Sequence, residues 1–147
     1  KKVQEGVVDG CLLAAAGLQR LGLEDEIAFR LPPEIMLPAI GQGIIALQCR
    51  KEDAASAALL RSIRCPHTWL QLEAERAILH AISGDCRTPL AGYAALQGDL
   101  MRVSGLIISE DGSRQAFAER VGLPGDAALL GAEVGQELRA QSGNVWL

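Results

Sequence analysis

Two short turns constrain this chain more than any other feature. Gly98-Asp99 and Asp111-Gly112 are dipeptides suited to tight reversal, and they separate three strand-like runs: Leu90–Leu96, Leu100–Ile108 and Arg114–Arg120. Strands joined so closely pair antiparallel, which predicts a three-stranded meander. A helix is expected before it. Thr68 followed by Gln71 is a capping-box signature, and Leu70, Ala74, Ala77, Ile78 and Ala81 give an apolar stripe at helical spacing to about Ser83, with Gly84 as the stop. A second helix follows, from Asp126 as N-cap to about Gln141, with Leu130, Val134 and Leu138 on one face. Helix, meander, helix makes an α+β unit, opening after the Cys65-Pro66 break.

The first half has a different pattern. Residues 7–16 read as a buried strand, because Val7-Val8 and the run Cys11 to Ala16 are apolar. A short helix over Gly17–Leu21 closes at Gly22. Leu31-Pro32-Pro33 breaks the chain, and Met36–Ile40 is expected to be extended beside Pro38. The turn Gly41-Gln42-Gly43 feeds a second apolar strand, Ile44 to Cys49. A helix over 52–63 would point Ala55, Leu59, Leu60 and Ile63 at a core. Strand, helix, strand, helix resembles an excerpt from an α/β domain. The chain has 147 residues and begins Lys1-Lys2-Val3, with no initiator Met and a strand-like segment almost at once, so it is expected to be a piece of something longer.

Composition removes several classes of function. Fourteen Lys and Arg against eighteen Asp and Glu give a net charge of −4 with no basic cluster, which excludes a nucleic-acid surface built on counterion release. Two Trp, two Phe and one Tyr are too few for a base-stacking platform. The longest apolar runs are far too short to cross a bilayer. Cys11, Cys49, Cys65 and Cys86 show no C-x-x-C spacing, and neither His67 nor His80 completes a zinc motif, so no metal site is expected. Such cysteine usage suits a reducing compartment.

Cys86 stands apart from the other thiols. It lies in the polar loop Gly84-Asp85-Cys86-Arg87-Thr88-Pro89, whereas Cys11 and Cys49 sit in apolar runs and read as small buried hydrophobes. A free thiol titrates near ~8.5; the Arg87 cation favours the thiolate, while Asp85 and the end of the preceding helix oppose it. From the residues alone, Cys86 is a candidate nucleophilic thiol, set against an unreactive loop cysteine.

The surrounding residues resemble a known family. Glu75-Arg76-Ala77 followed by Asp85-Cys86-Arg87-Thr88-Pro89-Leu90-Ala91-Gly92-Tyr93-Ala94 is similar to the cofactor-attachment signature of the hydroxymethylbilane synthase (porphobilinogen deaminase) family. Leu12 to Gly22 resembles the family's Leu-Ala-x-Ala-Gly-Leu-x-Arg segment, and Met36 to Gly43 its Leu-Pro-Ala-Val-Gly-Gln-Gly turn. Three motifs in the right order cover most of the chain.

The resemblance implies a dipyrromethane cofactor joined to Cys86 by a thioether. It would prime the stepwise addition of four porphobilinogen units, each with loss of ammonia, before hydrolysis releases the linear tetrapyrrole. Each pyrrole bears carboxylates, which bidentate guanidinium groups suit. By resemblance Arg20 contacts those carboxylates, and Gln42, Gly43, Leu13 and Ala14 line the cofactor. The implied fold is the C-terminal part of a three-domain enzyme. It comprises the end of a periplasmic-binding-protein-like α/β pair and then a small α+β domain with a three-stranded antiparallel sheet. Residues 1–40 would end domain two, 41–65 would cross back to domain one and link onward, and 66–147 would form domain three. The resemblance places no catalytic residue in this chain, because the family's catalytic aspartate lies earlier in domain one. The implied partners are porphobilinogen, the growing polypyrrole and the missing N-terminal part of a monomeric, cytoplasmic or plastid, non-secreted enzyme. Asp85 departs from the small residue usual before the attachment cysteine and sets a carboxylate beside a polyanionic cofactor, at some electrostatic cost unless Arg87 or solvent compensates. The competing readings are a non-catalytic ligand-binding module of binding-protein-like fold and a thiol-redox protein using Cys86.

Overall fold

The computed structural model describes residues 2–85 and 87–143. The chain divides into two compact units, Lys1–Ile35 and Met36–Leu147.

Among the described residues of the first unit the only regular helix is α1, Ala15–Arg20, followed by one 3-10 turn at Glu24–Glu26. Gly22 takes a positive φ of 69° just beyond α1, the left-handed conformation expected of a terminating glycine. Glu24 gathers the loop, accepting from Gln19 Nε2 at 2.8 Å and from Arg30 Nη2 at 2.6 Å. The strand expected over residues 7–16 does not form: no ladder partner lies beside it among the described residues, and Leu12 and Leu13 are 69% and 65% exposed. An apolar run supplies burial energy but cannot satisfy its own backbone as a strand, so without a neighbour only the helical end of this segment becomes regular.

In the second unit the same correction applies to Ile44–Cys49, which is irregular, with Ile45 85% exposed. Helix α2, Ala54–Ile63, does form, capped by Asp53, whose carboxylate accepts from the Ser56 N–H. None of its residues is buried, so Leu59 and Ile63 do not face a core among the described residues.

From Pro66 onward the α+β unit is built as the pattern demands. Helix α3 spans Pro66–Ile82, strands β1, β2 and β3 span Leu90–Gln97, Leu100–Ile108 and Gln115–Gly122, and helix α4 spans Ala127–Ser142. The strands form one antiparallel sheet in the order β1-β2-β3, with Gly92 opposite Gly105 and Gly105 opposite Ala118. Alternation sends Leu90, Ala94, Met101, Val103, Ile107, Ala116 and Ala118 to the helix-covered face, where they meet Ala74, Ile78, Leu130, Val134 and Leu138.

Two glycines set how closely the helices approach. A Cβ on Gly135 would lie 2.7 Å from the Ile78 carbonyl oxygen, and one on Gly131 would collide with the Ala74 carbonyl. At the margin of the helix-covered face, Arg120 of β3 ties the sheet to α4 through Glu133 at 3.2 Å and Glu137 at 2.7 Å. Two local expectations change. Helix α3 begins at Pro66 rather than at a Thr68 cap, because proline needs no N–H partner at the first helical position. Its left-handed terminator is Ser83, φ 59°, and not Gly84.

Candidate functional site

The second unit brings one end of β1, the loop before it and the Gly41-Gln42-Gly43 turn together. Segment 38–41 runs along the free edge of β1. The Gly92 N–H donates to the Pro38 carbonyl at 3.0 Å, and Ala39 forms an isolated antiparallel bridge with Ala91. Ile40 packs directly over Gly92, where a Cβ would come within 2.9 Å of its side chain. The turn closes by a hydrogen bond from the Gln42 N–H to the Ala39 carbonyl, and Gly41 holds a φ of 75° at the position where type II turns need one. Gln42 and Gly43 are exposed just beyond it.

Helix α3 holds this arrangement through two side chains one turn apart. The buried Glu75 carboxylate accepts from the Gly41 N–H at 2.8 Å with one oxygen and from the Ala94 N–H at 3.2 Å with the other. Gln71 Nε2 donates to the Ala94 carbonyl at 2.9 Å, so its amide is not part of a capping box. Burial raises the Glu75 pKa, and the two N–H donors partly offset that rise. Arg76 beside it is exposed, so Glu75 is the structural member of that pair. Sequence reasoning missed this role. The available signal was that Gln71 and Glu75, four residues apart, both adjoin the Leu70–Ala74–Ile78 stripe.

Cys86 itself lies outside the described residues, and the contacts described are those of its neighbours. The Asp85 N–H donates to Thr88 Oγ1 at 2.9 Å and the Thr88 N–H to the Asp85 carbonyl at 3.2 Å. The Asp85 carboxylate accepts from the Arg87 N–H at 2.8 Å and meets the Arg87 guanidinium at 3.3 Å. These contacts hold the Asp85 carboxyl below the usual aspartate range, the Arg87 backbone N–H first and its side chain second. The charge introduced by Asp85 is therefore compensated within the loop. The lack of a side chain at Gly84 leaves room for this contact, since a Cβ there would lie 2.9 Å from Thr88 Oγ1 and displace it. Next to the loop, Ala39, Thr88, Pro89, Leu90, Ala91, Leu106 and Ile108 line an open groove of about 290 Å3.

The other expected site residues fall in the first unit. Leu13 is exposed, Ala14 is the extended N-cap of α1, and Arg20 ends that helix, exposed and with no ion-pair partner among the described residues. Each unit by itself offers part of what an apolar ring with anionic substituents needs: the groove of the second unit gives aliphatic contact, and in the first unit the exposed Arg20 guanidinium suits a carboxylate. No group of three or more metal-ligating side chains occurs among the described residues, and none of their helices is long and apolar enough to cross a membrane.

Comparison with known proteins defines the class. Residues 1–58 match the family model described as porphobilinogen deaminase, dipyromethane cofactor binding domain, and residues 69–140 match porphobilinogen deaminase, C-terminal domain. The chain is 43% identical over 143 residues to a porphobilinogen deaminase of Nitrobacter winogradskyi, covering 97% of this chain and 45% of that protein. It is likewise 43% identical to those of Paracoccus denitrificans and Sorangium cellulosum, covering 97% and 95% of this chain and 45% and 48% of theirs. The chain belongs to the porphobilinogen deaminase family and comprises the end of its cofactor-binding domain and its C-terminal domain, the latter built on the three-stranded antiparallel sheet. It spans about half the length of the curated relatives it matches.

Proposed function

We propose that this chain is the C-terminal part of a hydroxymethylbilane synthase, with Cys86 as the point at which dipyrromethane is joined through a thioether. The observation that carries the reading is the family match across both halves of the chain, combined with a tightly closed Asp85–Thr88 loop that opens onto a groove. When bound, dipyrromethane supplies the pyrrole primer onto which porphobilinogen units are added with loss of ammonia.

This chain's own residues hold and orient. Arg20 binds pyrrole carboxylates; the exposed turn at Gln42 and Gly43 offers backbone N–H groups; and Leu13 and Ala14 give the chain's approach to α1. Arg87 neutralises Asp85, so the loop does not repel a polyanion. Residues 1–40 end domain two, 41–65 cross back to domain one and link onward, and 66–147 form the cofactor-attachment domain. The aspartate that assists deamination comes from the N-terminal part of a monomeric enzyme, so the isolated chain is inactive toward porphobilinogen.

The test is a chimera with the chain fused behind the N-terminal half of the Nitrobacter winogradskyi relative. Intact mass should show one dipyrromethane added, located on the Cys86 peptide and lost in Cys86→Ser. A chimera that consumes porphobilinogen with an unmodified Cys86 would overturn the assignment. Turnover by the 147-residue chain alone would overturn the claim that it supplies no catalytic group.

A further inference from the structure

We propose that Glu75 is a positioning residue, a latch that fixes the Gly41-Gln42-Gly43 turn to the first strand of the C-terminal sheet. Three observations converge. Glu75 is a buried carboxylate with no cationic partner among the described residues; both of its oxygens are used, and the two donors come from different parts of the chain. One donor, the Gly41 N–H, belongs to the turn; the other, the Ala94 N–H, belongs to β1, the strand that leads directly out of the cysteine loop. A buried carboxylate is costly to desolvate, so a carboxylate at this place is a poor choice for packing alone. Its geometry suits a different task, because one rigid acceptor holding two N–H groups fixes their separation.

The consequence for the site is one of register. The outward N–H groups of Leu90, Gly92 and Ala94 along β1 are bonded to the Thr88 carbonyl, the Pro38 carbonyl and Glu75 in turn. Loop, turn and helix thus share one strand edge. The functional weight of the latch rests on the reading that the turn lies against the cofactor; the latch itself stands on geometry.

Amide exchange and titration of the labelled 147-residue chain test it. In Glu75→Ala, exchange protection of the Gly41 amide should fall about tenfold or more, the scale of one hydrogen bond to a charged group, while Val103 and Ile107 in the central strand keep theirs. In Glu75→Gln, which keeps the shape and guards against an unfolded alanine variant, the side-chain NH2 must face one of the two donors, so the Gly41 or Ala94 amide loses its protection. In the unmodified chain the Gly41 and Ala94 amide proton shifts should titrate together with the Glu75 carboxyl carbon, and in Glu75→Gln that shared titration should vanish. Unchanged Gly41 exchange in Glu75→Ala, a fall equal to that of Val103 and Ile107, or amide shifts that ignore the Glu75 titration would each overturn the latch. None of these readouts involves dipyrromethane, so a failed latch leaves the mass experiment standing, and a failed attachment leaves the latch testable.

Discussion

Residues 2–35 and residues 66–143 are comparably apolar along the sequence, yet they end up differently. The later segment buries Ile78, Met101, Val103, Ile107, Val134 and Leu138 completely, whereas the earlier one leaves Val7, Leu12, Leu13, Leu21 and Phe29 largely exposed. The difference lies in where backbone partners come from. The meander is local: each strand finds its neighbour across a short turn, and the helices on either side cover one face. An α/β strand depends on distant neighbours, so its apolar pattern alone builds nothing. Hydrophobicity states what must be buried; sequence proximity decides whether this chain can bury it.

That contrast can be broken by substitution. Leu138→Ala should cost about 2–5 kcal/mol of stability in chemical unfolding, by lost burial plus a cavity. Leu12→Ala should stay within about 0.5 kcal/mol, as for exposed positions. An equal cost at both would erase the distinction. Gly131→Ala should destabilise by about 1–3 kcal/mol, because its Cβ meets the Ala74 carbonyl and α3 must move away from α4. The same change at Gly10, where a Cβ meets nothing, should be nearly silent in a thermal melt. Arg120→Ala should cost about 1 kcal/mol or less, since both its ion pairs are partly solvated, and the loss should shrink in high salt.

The pH dependence sharpens the contrast least but has a clear sign. Burial raises the Glu75 pKa above 4.5, so the folded state holds its proton more tightly than the unfolded chain. Its contribution is full below pH 4.5 and is lost as pH rises through the folded value; Glu75→Gln should remove that slope from an unfolding series. Asp111 behaves oppositely. The Ser109 hydroxyl, then the Ser113 backbone and hydroxyl, hold it at about 2, so its contribution is present above 3.8 and is lost as pH falls through about 2. Carboxyl titration by NMR should show Asp111 shifted upward in Ser109→Ala.

The sheet, its order and both long helices were legible because their signals are local: turn dipeptides, alternation and a stripe at helical spacing. Leu130, Val134 and Leu138 are all buried as their spacing requires. Strands over 7–16 and 44–49 were legible as apolar runs and wrong as strands, since no sequence pattern reveals whether a partner is present. In the site, the motif around Cys86 was readable by resemblance, whereas adjacency offered Arg87 or solvent as compensation for Asp85, and the 3.3 Å contact assigns it to Arg87. Glu75 was readable only as a residue beside the apolar stripe, not as an acceptor for two distant N–H groups. A glutamate on an amphipathic helix is ordinarily solvated, and only the approach of Gly41 from thirty-four residues away gives it a purpose.

That approach bears on how the C-terminal part could be isolated. An excised segment starting at the Cys65-Pro66 break would lack Pro38 and Gly41, stripping the cover from the β1 edge at Gly92 and leaving one Glu75 oxygen without its donor. An uncovered edge is a template for another strand, so such an excised piece would tend to pair with copies of itself. A minimal soluble unit therefore begins before Pro38, where the hydrogen bonding begins, and not at the most obvious punctuation in the sequence.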